Sequence, residues 1–348
     1  MMEEGHGDLL RADVDALVNT VNTEGVMGKG IALQFRRAFP AMYNAYRAAC
    51  QRGEVQMGRM LVWETGMATG PRYIINFPTK RHWRSRSRLE DIDEGLAHLV
   101  QVVQERGITS IAVPPLGAGN GGLPWATVRE HIATALSGLT DTRVLLFEPQ
   151  GAPDPRGMLT TTPARPLTEN RAVFIQLLGR YLMALMDSRP SLIEVQKLMY
   201  FLQEAGQPLR LRFERGAYGP YADNLRQVLI DTEGTYTIGY GDGTGRPMDS
   251  SLELMPGAWD RAVGALQGHA EAHARCDRVM KLAEGFESMY GMELLGTIHW
   301  IVAHDDVPSD DAGQIRQAVA AWSPRKAKLF RPEHVDIALD HLHALNWV

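Results

Sequence analysis

The chain has 348 residues, enough for two domains with a core in each, and its formal net charge is −5 at pH 7. No apolar run reaches the roughly 18 to 20 residues of a membrane span, and the opening MMEEGHGDLL lacks the pattern of a secretion signal. Two cysteines, Cys50 and Cys276, are too few for a disulfide framework, so a cytoplasmic protein is expected.

The acid excess is uneven. Residues 1–150 carry 16 Lys and Arg against 16 Asp and Glu, and the remainder carries 20 against 25. In chain order, residues 1–10 offer little apolar content, so a strand there is expected to be short or missing. Ala16 to Val21 reads as a strand and ends in Asn19-Thr20-Val21-Asn22-Thr23. The glycine-rich loop Glu24 to Gly30 follows, then helices over Ile31–Phe39 and Ala41–Arg52. Met60–Trp63 and Tyr73–Phe77 read as strands, and Leu89–Glu105 as an amphipathic helix with Ile92, Leu96, Leu99 and Val103 on one face. Ile111–Val113 and Val144–Phe147 complete the strand set. Between them lie the loop LGAGNGGLPW (116–125) and a helix over Trp125–Leu136. Strands separated by helices predict an α/β domain with three layers and a mostly parallel or mixed sheet.

Pro153, Pro155, Gly157, the threonines 160–162, Pro163 and Pro166 mark a linker over 153–170, between domains at 1–152 and 171–348. The second half reads as mainly α, with helices at 172–186, 191–205, 221–230, 259–266, 277–290, 293–303, 312–321 and 332–345. A short strand is expected over Leu209–Phe213 and an exposed turn over Gly239–Gly245.

A glycine-rich turn between a strand and a helix N-terminus is a ready anion site, because backbone N–H groups point outward and nothing blocks a phosphate's approach. No such loop here ends in Gly-Lys-Ser or Gly-Lys-Thr, and GAGNGG lacks the glycine spacing of a dinucleotide fold. The histidines of the first half have no metal-ligand spacing, so no metal and no cofactor are expected. Lys80 is the strongest candidate for chemistry: the first half has only two lysines, Lys29 and Lys80, and both lie in candidate site loops. The run Lys80, Arg81, His82, Trp83, Arg84, Arg86, Arg88 mixes cations with an aromatic ring, as expected where a base stacks and a phosphodiester is neutralised.

The segments GDLL (7–10), VNTVNTEGVMGKGIALQF (18–35), INFPTKRHW (75–83) and PPLGAGNGGLPW (114–125) resemble the macrodomain family over about residues 5–150. Within it they are similar to the DarG-type antitoxins, which remove ADP-ribose from DNA and are partnered by DarT-type DNA ADP-ribosyltransferase toxins. QKLMYFLQEAG (196–206) and RFERGAYGPYADNLRQVL (212–229) resemble the toxin-binding domain of those antitoxins.

The resemblance implies that the ligand is ADP-ribose and the substrate is ADP-ribosylated thymidine in single-stranded DNA. It places Asp8 on the adenine amino group beside Leu9, and Asn22 on the distal ribose with Thr20 and Val21. It places Ile31, Ala32, Leu33 and Gln34 along the diphosphate side, Gly117, Ala118, Gly119, Asn120 and Gly121 around the diphosphate, and Lys80 as the catalytic lysine beside Thr79. Lys80 would act either as a nucleophile or by electrostatic stabilisation. Arg81, Trp83, Arg84 and Arg86 are the candidates for DNA contact. Relatives that pair the lysine with a loop aspartate have Gly121 in its place here. Two other functions share these features: an ADP-ribose reader without turnover, and a hydrolase of glutamate-linked ADP-ribose on protein.

Overall fold

The computed structural model describes every residue except 1, 68, 152, 162–165 and 186–188. Thr162 and Pro163 of the expected linker, Ala152 at the expected domain edge and Met186 at an expected helix end therefore lie outside the described residues. The chain divides into two units, Met1–Pro163 with Gly241–Thr244, and Ala164–Tyr240 with Gly245–Val348.

The first unit contains β1 (Met2–Gly5), β2 (Ala16–Asn22), α1 (Gly30–Ala38), α2 (Pro40–Gln51), β3 (Leu61–Glu64) and β4 (Tyr73–Lys80). It continues with α3 (Leu89–Glu105), β5 (Ser110–Val113), α4 (Trp125–Leu136) and β6 (Arg143–Phe147). The six strands run in the order β1-β6-β5-β2-β4-β3. All neighbours are parallel except β3, which is antiparallel to β4 at the edge. The strand expected to be short or missing is present: four residues of β1 pair with β6 from Met2↔Val144 to Gly5↔Phe147. It needs no strong apolar pattern because it is an edge strand, and Gly5 lets the Phe147 ring lie against its backbone (a Cβ there would come within 2.4 Å of the ring).

Successive side chains of a strand face opposite sides of the sheet, and β2 demonstrates it. Ala16 and Val18 join the core under α3 and α4, with Ile92, Leu96, Leu99, Val128 and Ile132. Leu17 and Val21 join the core under α1 and α2, with Phe35, Met42 and Tyr46. This is the expected three-layer α/β arrangement. At its centre Asn19 and Asn76 are register partners, both fully buried; Asn19 Nδ2 donates to Asn76 Oδ1 at 2.9 Å, and Asn76 Nδ2 to the Leu61 carbonyl at 3.2 Å.

The second unit contains α5 (Glu169–Ala184), α6 (Leu192–Glu204), the hairpin β7 (Glu214–Gly216) and β8 (Gly219–Tyr221), α7 (Leu225–Thr232), and the pair β9 (Thr237–Ile238) and β10 (Glu253–Leu254). It ends in α8 (Ala258–Ala265), α9 (Ala270–Ala283), α10 (Met289–His304), α11 (Ala312–Trp322), α12 (Pro324–Leu329) and α13 (Pro332–Ala344). It is mainly helical, as expected, and its core joins α5, α6, α9, α10 and α13. A capping box opens α6: Ser191 Oγ accepts from Glu194 N–H at 3.3 Å, while Glu194 Oε2 accepts from Ser191 N–H at 2.7 Å.

Several expected details differ. Leu209–Phe213 is not a strand: Arg210 has φ +58°, which breaks extended pairing, and the strands form later, at 214–216 and 219–221. The helix expected over 277–290 is two helices, because Gly285 (φ +80°) ends α9 and Ser288 caps α10 through Gly291 N–H. The Gly239–Gly245 turn is exposed only at Gly245: Tyr240, Gly241 and Asp242 are buried, and Glu233 accepts the N–H groups of Gly239 and Tyr240 at 3.1 Å each.

Candidate functional site

In a parallel sheet the loops leaving the carboxyl ends of the strands share one rim, and ligands bind there. Here the rim collects Asp8 beyond β1, the 114–124 loop after β5, Asn22 and the 23–29 loop after β2, and Thr79 and Lys80 at the end of β4.

Asp8 caps a short 3-10 turn at Leu9–Arg11: its Oδ1 accepts from Leu10 N–H at 3.0 Å, with Arg11 Nε 3.7 Å from Oδ2. Leu9 is buried beneath it. Thr20 and Val21 lie in β2, half-buried and buried. Asn22 is committed to shaping its own loop. Its Oδ1 accepts from the N–H groups of Glu24 (3.0 Å) and Val26 (3.3 Å), its Nδ2 donates to the Val26 carbonyl (2.6 Å), and its own carbonyl accepts from Tyr46 OH at 2.5 Å. Tyr46 carries no signal in the sequence beyond the apolar face of α2, yet it fixes this corner; burial pushes its hydroxyl pKa far up, so it remains a donor. Ile31 and Ala32 are half-buried in the first turn of α1, and Leu33 is fully buried. Gln34 is buried too, and its amide donates to Asp242 of the same unit at 2.9 Å.

The glycine loop folds on itself. Ala118 N–H donates to Pro115, Gly122 to Gly119 and Leu123 to Gly117, and the Gly121 carbonyl accepts from Ser87 N–H at 3.0 Å. Among the described residues, the N–H groups of Gly119, Asn120 and Gly121 meet no acceptor, which leaves three donors together on the rim. Gly117 needs its glycine for φ +69°. Gly121 needs its own for space: a Cβ there would lie 2.2 Å from the Gly117 carbonyl oxygen and 2.4 Å from Ser87 Oγ. No aspartate fits at that position.

Lys80 ends β4, half-buried, as the register partner of Asn22 across a bulge that leaves Thr79 unopposed. Its Nζ donates to the Asn120 carbonyl. Among the described residues no carboxylate pairs with it, and burial holds its pKa below the usual 10.5. Thr79 is buried, its Oγ1 donating to the Val21 carbonyl at 3.4 Å.

The basic run divides. Arg81 forms a two-bond ion pair with Asp91, at 2.5 and 2.7 Å. His82 stacks on Trp83 (centroids 5.7 Å, 21°), and the Arg84 guanidinium lies 4.4 Å from the Trp83 ring centroid. Arg84 and Arg86 are exposed. Among the described residues no group of three His, Cys, Asp or Glu side chains could hold a metal ion, and no helix is long and apolar enough to cross a membrane.

The family model for the Macro domain matches residues 18–132. A "DNA ADP-ribosyl glycohydrolase" of Thermus aquaticus is 46% identical over 342 residues, covering 98% of this chain and 93% of the relative. The chain belongs to the DNA ADP-ribosyl glycohydrolase family. A family member from Mycobacterium tuberculosis is 42% identical over 353 residues, covering 98% and 99%. A Thermosipho africanus relative named "DNA ADP-ribosyl transferase-DNA ADP-ribosyl glycohydrolase fusion protein" is 34% identical over 137 residues, 35% of each chain.

Proposed function

We propose that the protein hydrolyses the N-glycosidic bond between C1″ of ADP-ribose and a thymine base in single-stranded DNA, with Lys80 as the catalytic group. The order of residues along the rim carries this reading. Following the strand order, Asp8 comes first, then the glycine loop, then Asn22, then Lys80. Four strand spacings separate β1 from β4, about 19 Å at ~4.8 Å each, a span suited to a dinucleotide-sized ligand laid across the rim. Adenine then sits at Asp8 and Leu9, and the diphosphate in the loop 117–121, on the free amides of Gly119, Asn120 and Gly121, flanked by Ile31 to Gln34. The distal ribose sits at Thr20, Val21 and Asn22, with its anomeric carbon toward Lys80 and Thr79.

The amine of Lys80 lacks a carboxylate partner and is partly desolvated, conditions that favour its neutral, nucleophilic form. Its nitrogen bonds to C1″ as the bond to the thymine nitrogen breaks; thymine takes the proton the amine releases. Water then frees ADP-ribose and restores the amine, with no cofactor. Trp83, Arg84 and Arg86, and the exposed side of Arg81, hold the flanking strand by stacking and phosphate contact.

The second unit binds and neutralises a DNA ADP-ribosyltransferase toxin in the cytoplasm. Its acid excess suits a basic, DNA-handling partner, and the T. africanus relative joins transferase and glycohydrolase names on one chain.

The deciding experiment supplies an oligonucleotide ADP-ribosylated on thymidine and, separately, a glutamate-ADP-ribosylated protein. Release of ADP-ribose from the oligonucleotide in preference to the protein is expected. A stable complex without release would instead mark a reader, and preference for the protein a glutamate hydrolase. For the partner, full-length Lys80→Ala protein should still co-purify with the toxin and relieve its growth arrest; loss of both overturns sequestration.

A further inference from the structure

We infer that Asp91, acting through Arg81, is a positioning residue for Lys80; the inference rests on the reading of Lys80 given above. Lys80 is the last residue of β4, where the chain leaves the sheet for the 81–88 turn. A long side chain at a strand end delivers its nitrogen to one place only if the main chain on both sides of it is held.

Two contacts hold it from the β2 side: Thr23 N–H donates to the Lys80 carbonyl at 3.1 Å, and Thr23 Oγ1 donates to the Arg81 carbonyl at 2.7 Å. The third comes from α3. Arg81 Nη1 and Nη2 donate to Asp91 Oδ2 and Oδ1 at 2.5 and 2.7 Å, a parallel fork that fixes direction as well as distance. The Asp91 side chain is 8% exposed, unlike that of an ordinary surface pair, whereas the Arg81 side chain is 57% exposed. Asp91 is the third residue of α3, where the helix dipole favours a carboxylate anion. It is not the cap of that helix, a place held by Arg88 without a side-chain hydrogen bond. Its carboxylate is aimed at the residue next to Lys80, and the peptide joining 80 to 81 is clamped between β2 and α3.

Full-length Asp91→Asn and Arg81→Lys test this. Single-turnover release from the thymidine-modified oligonucleotide should fall about 10- to 100-fold at saturating substrate. KM for the oligonucleotide in Asp91→Asn, and affinity for free ADP-ribose in both variants, should stay within about threefold, and Asp91→Glu should recover most of the rate. Arg81→Lys keeps the charge but loses the fork, so it carries the test should Asp91→Asn fail to fold. Wild-type turnover in both variants overturns the inference. So does a rise in KM with kcat intact, which would make Arg81 a DNA contact and nothing more. Lys80→Ala runs alongside: if it retains turnover, the reading of Lys80 itself falls. If it is inactive while Asp91→Asn turns over normally, only the positioning role falls.

Discussion

Lys80 Nζ donates to the main-chain carbonyl of Asn120, so the amine borne on β4 and the glycine loop after β5 meet although β2 lies between their strands. Removing the amine therefore tests chemistry apart from ligand binding. Lys80→Ala should slow release of ADP-ribose from modified oligonucleotide by on the order of 10³-fold. Calorimetric affinity for free ADP-ribose should change only a few-fold, since the loop amides remain. Turnover near wild type would remove Lys80 from the mechanism.

Burial without a carboxylate partner places the Lys80 pKa below 10.5. A reaction that uses the free amine is suppressed at low pH, rises as pH approaches that lowered value and levels off above it. Single-turnover rates from about pH 6 to about pH 10 should trace this limb. A profile that falls over the range would mean that the charged form is the working one.

Gly121→Ala must displace the loop, because the added carbon would overlap the Gly117 carbonyl and Ser87. ADP-ribose affinity should fall about tenfold or more, about 1.4 kcal/mol. Unchanged affinity by calorimetry would separate the loop from the ligand.

Trp83→Ala removes the ring stacked with His82 and Arg84. Loss of base stacking is worth about 1–3 kcal/mol, so KM for modified single-stranded DNA should rise while affinity for free ADP-ribose stays the same. Equal behaviour toward both ligands would place the DNA elsewhere.

In the second unit Glu293, 1% exposed, accepts from Arg325 at 2.6 and 3.0 Å and from the fully buried Lys326, beside the equally buried Lys197. Glu293→Gln leaves these cations uncompensated and should cost about 3–5 kcal/mol of stability by denaturant unfolding. In the wild type, desolvation and the Lys326 charge bring Lys197 down to about 7. Between there and its unfolded value near 10.5 the unfolded chain binds the extra proton, so this group's destabilisation is full below pH 7 and fades as pH rises. Lys197→Met should flatten that part of the stability–pH curve; an unchanged slope would exclude Lys197 as its source.

Strand-and-helix alternation made the first unit legible, because Ala16 to Val21 is a short apolar run and Leu89 to Glu105 shows the helical period. The rim followed, since the glycine loops follow strands and Lys80 closes one. Asp91 and Ser87 were illegible: one reads as an ordinary first-turn acid, the other as a serine between arginines, and only packing against Arg81 and Gly121 gives them a role. Tyr46 was hidden in the apolar stripe of α2. In the helical unit the errors sit at single backbone conformations, Arg210 and Gly285, that no periodicity reports. The buried cluster of Lys197, Glu293 and Lys326 joins α6, α10 and α12, beyond the reach of local pattern.

The bulge at the end of β4 decides a matter of parity. Val21 faces Pro78 and Asn22 faces Lys80, so Thr79 is a supernumerary residue in the count. Side chains along a strand alternate between the two layers of helices, and one residue more or fewer exchanges their destinations. The bulge absorbs that change: pairing resumes with Asn22 opposite Lys80, so β2, with seven residues, and β4, with eight, start level at Ala16↔Tyr73 and finish level at the rim. An extra residue in one of two neighbouring strands thus leaves the pairing of their last residues unchanged, and a bulge of this kind sets which two residues stand side by side where both strands leave the sheet.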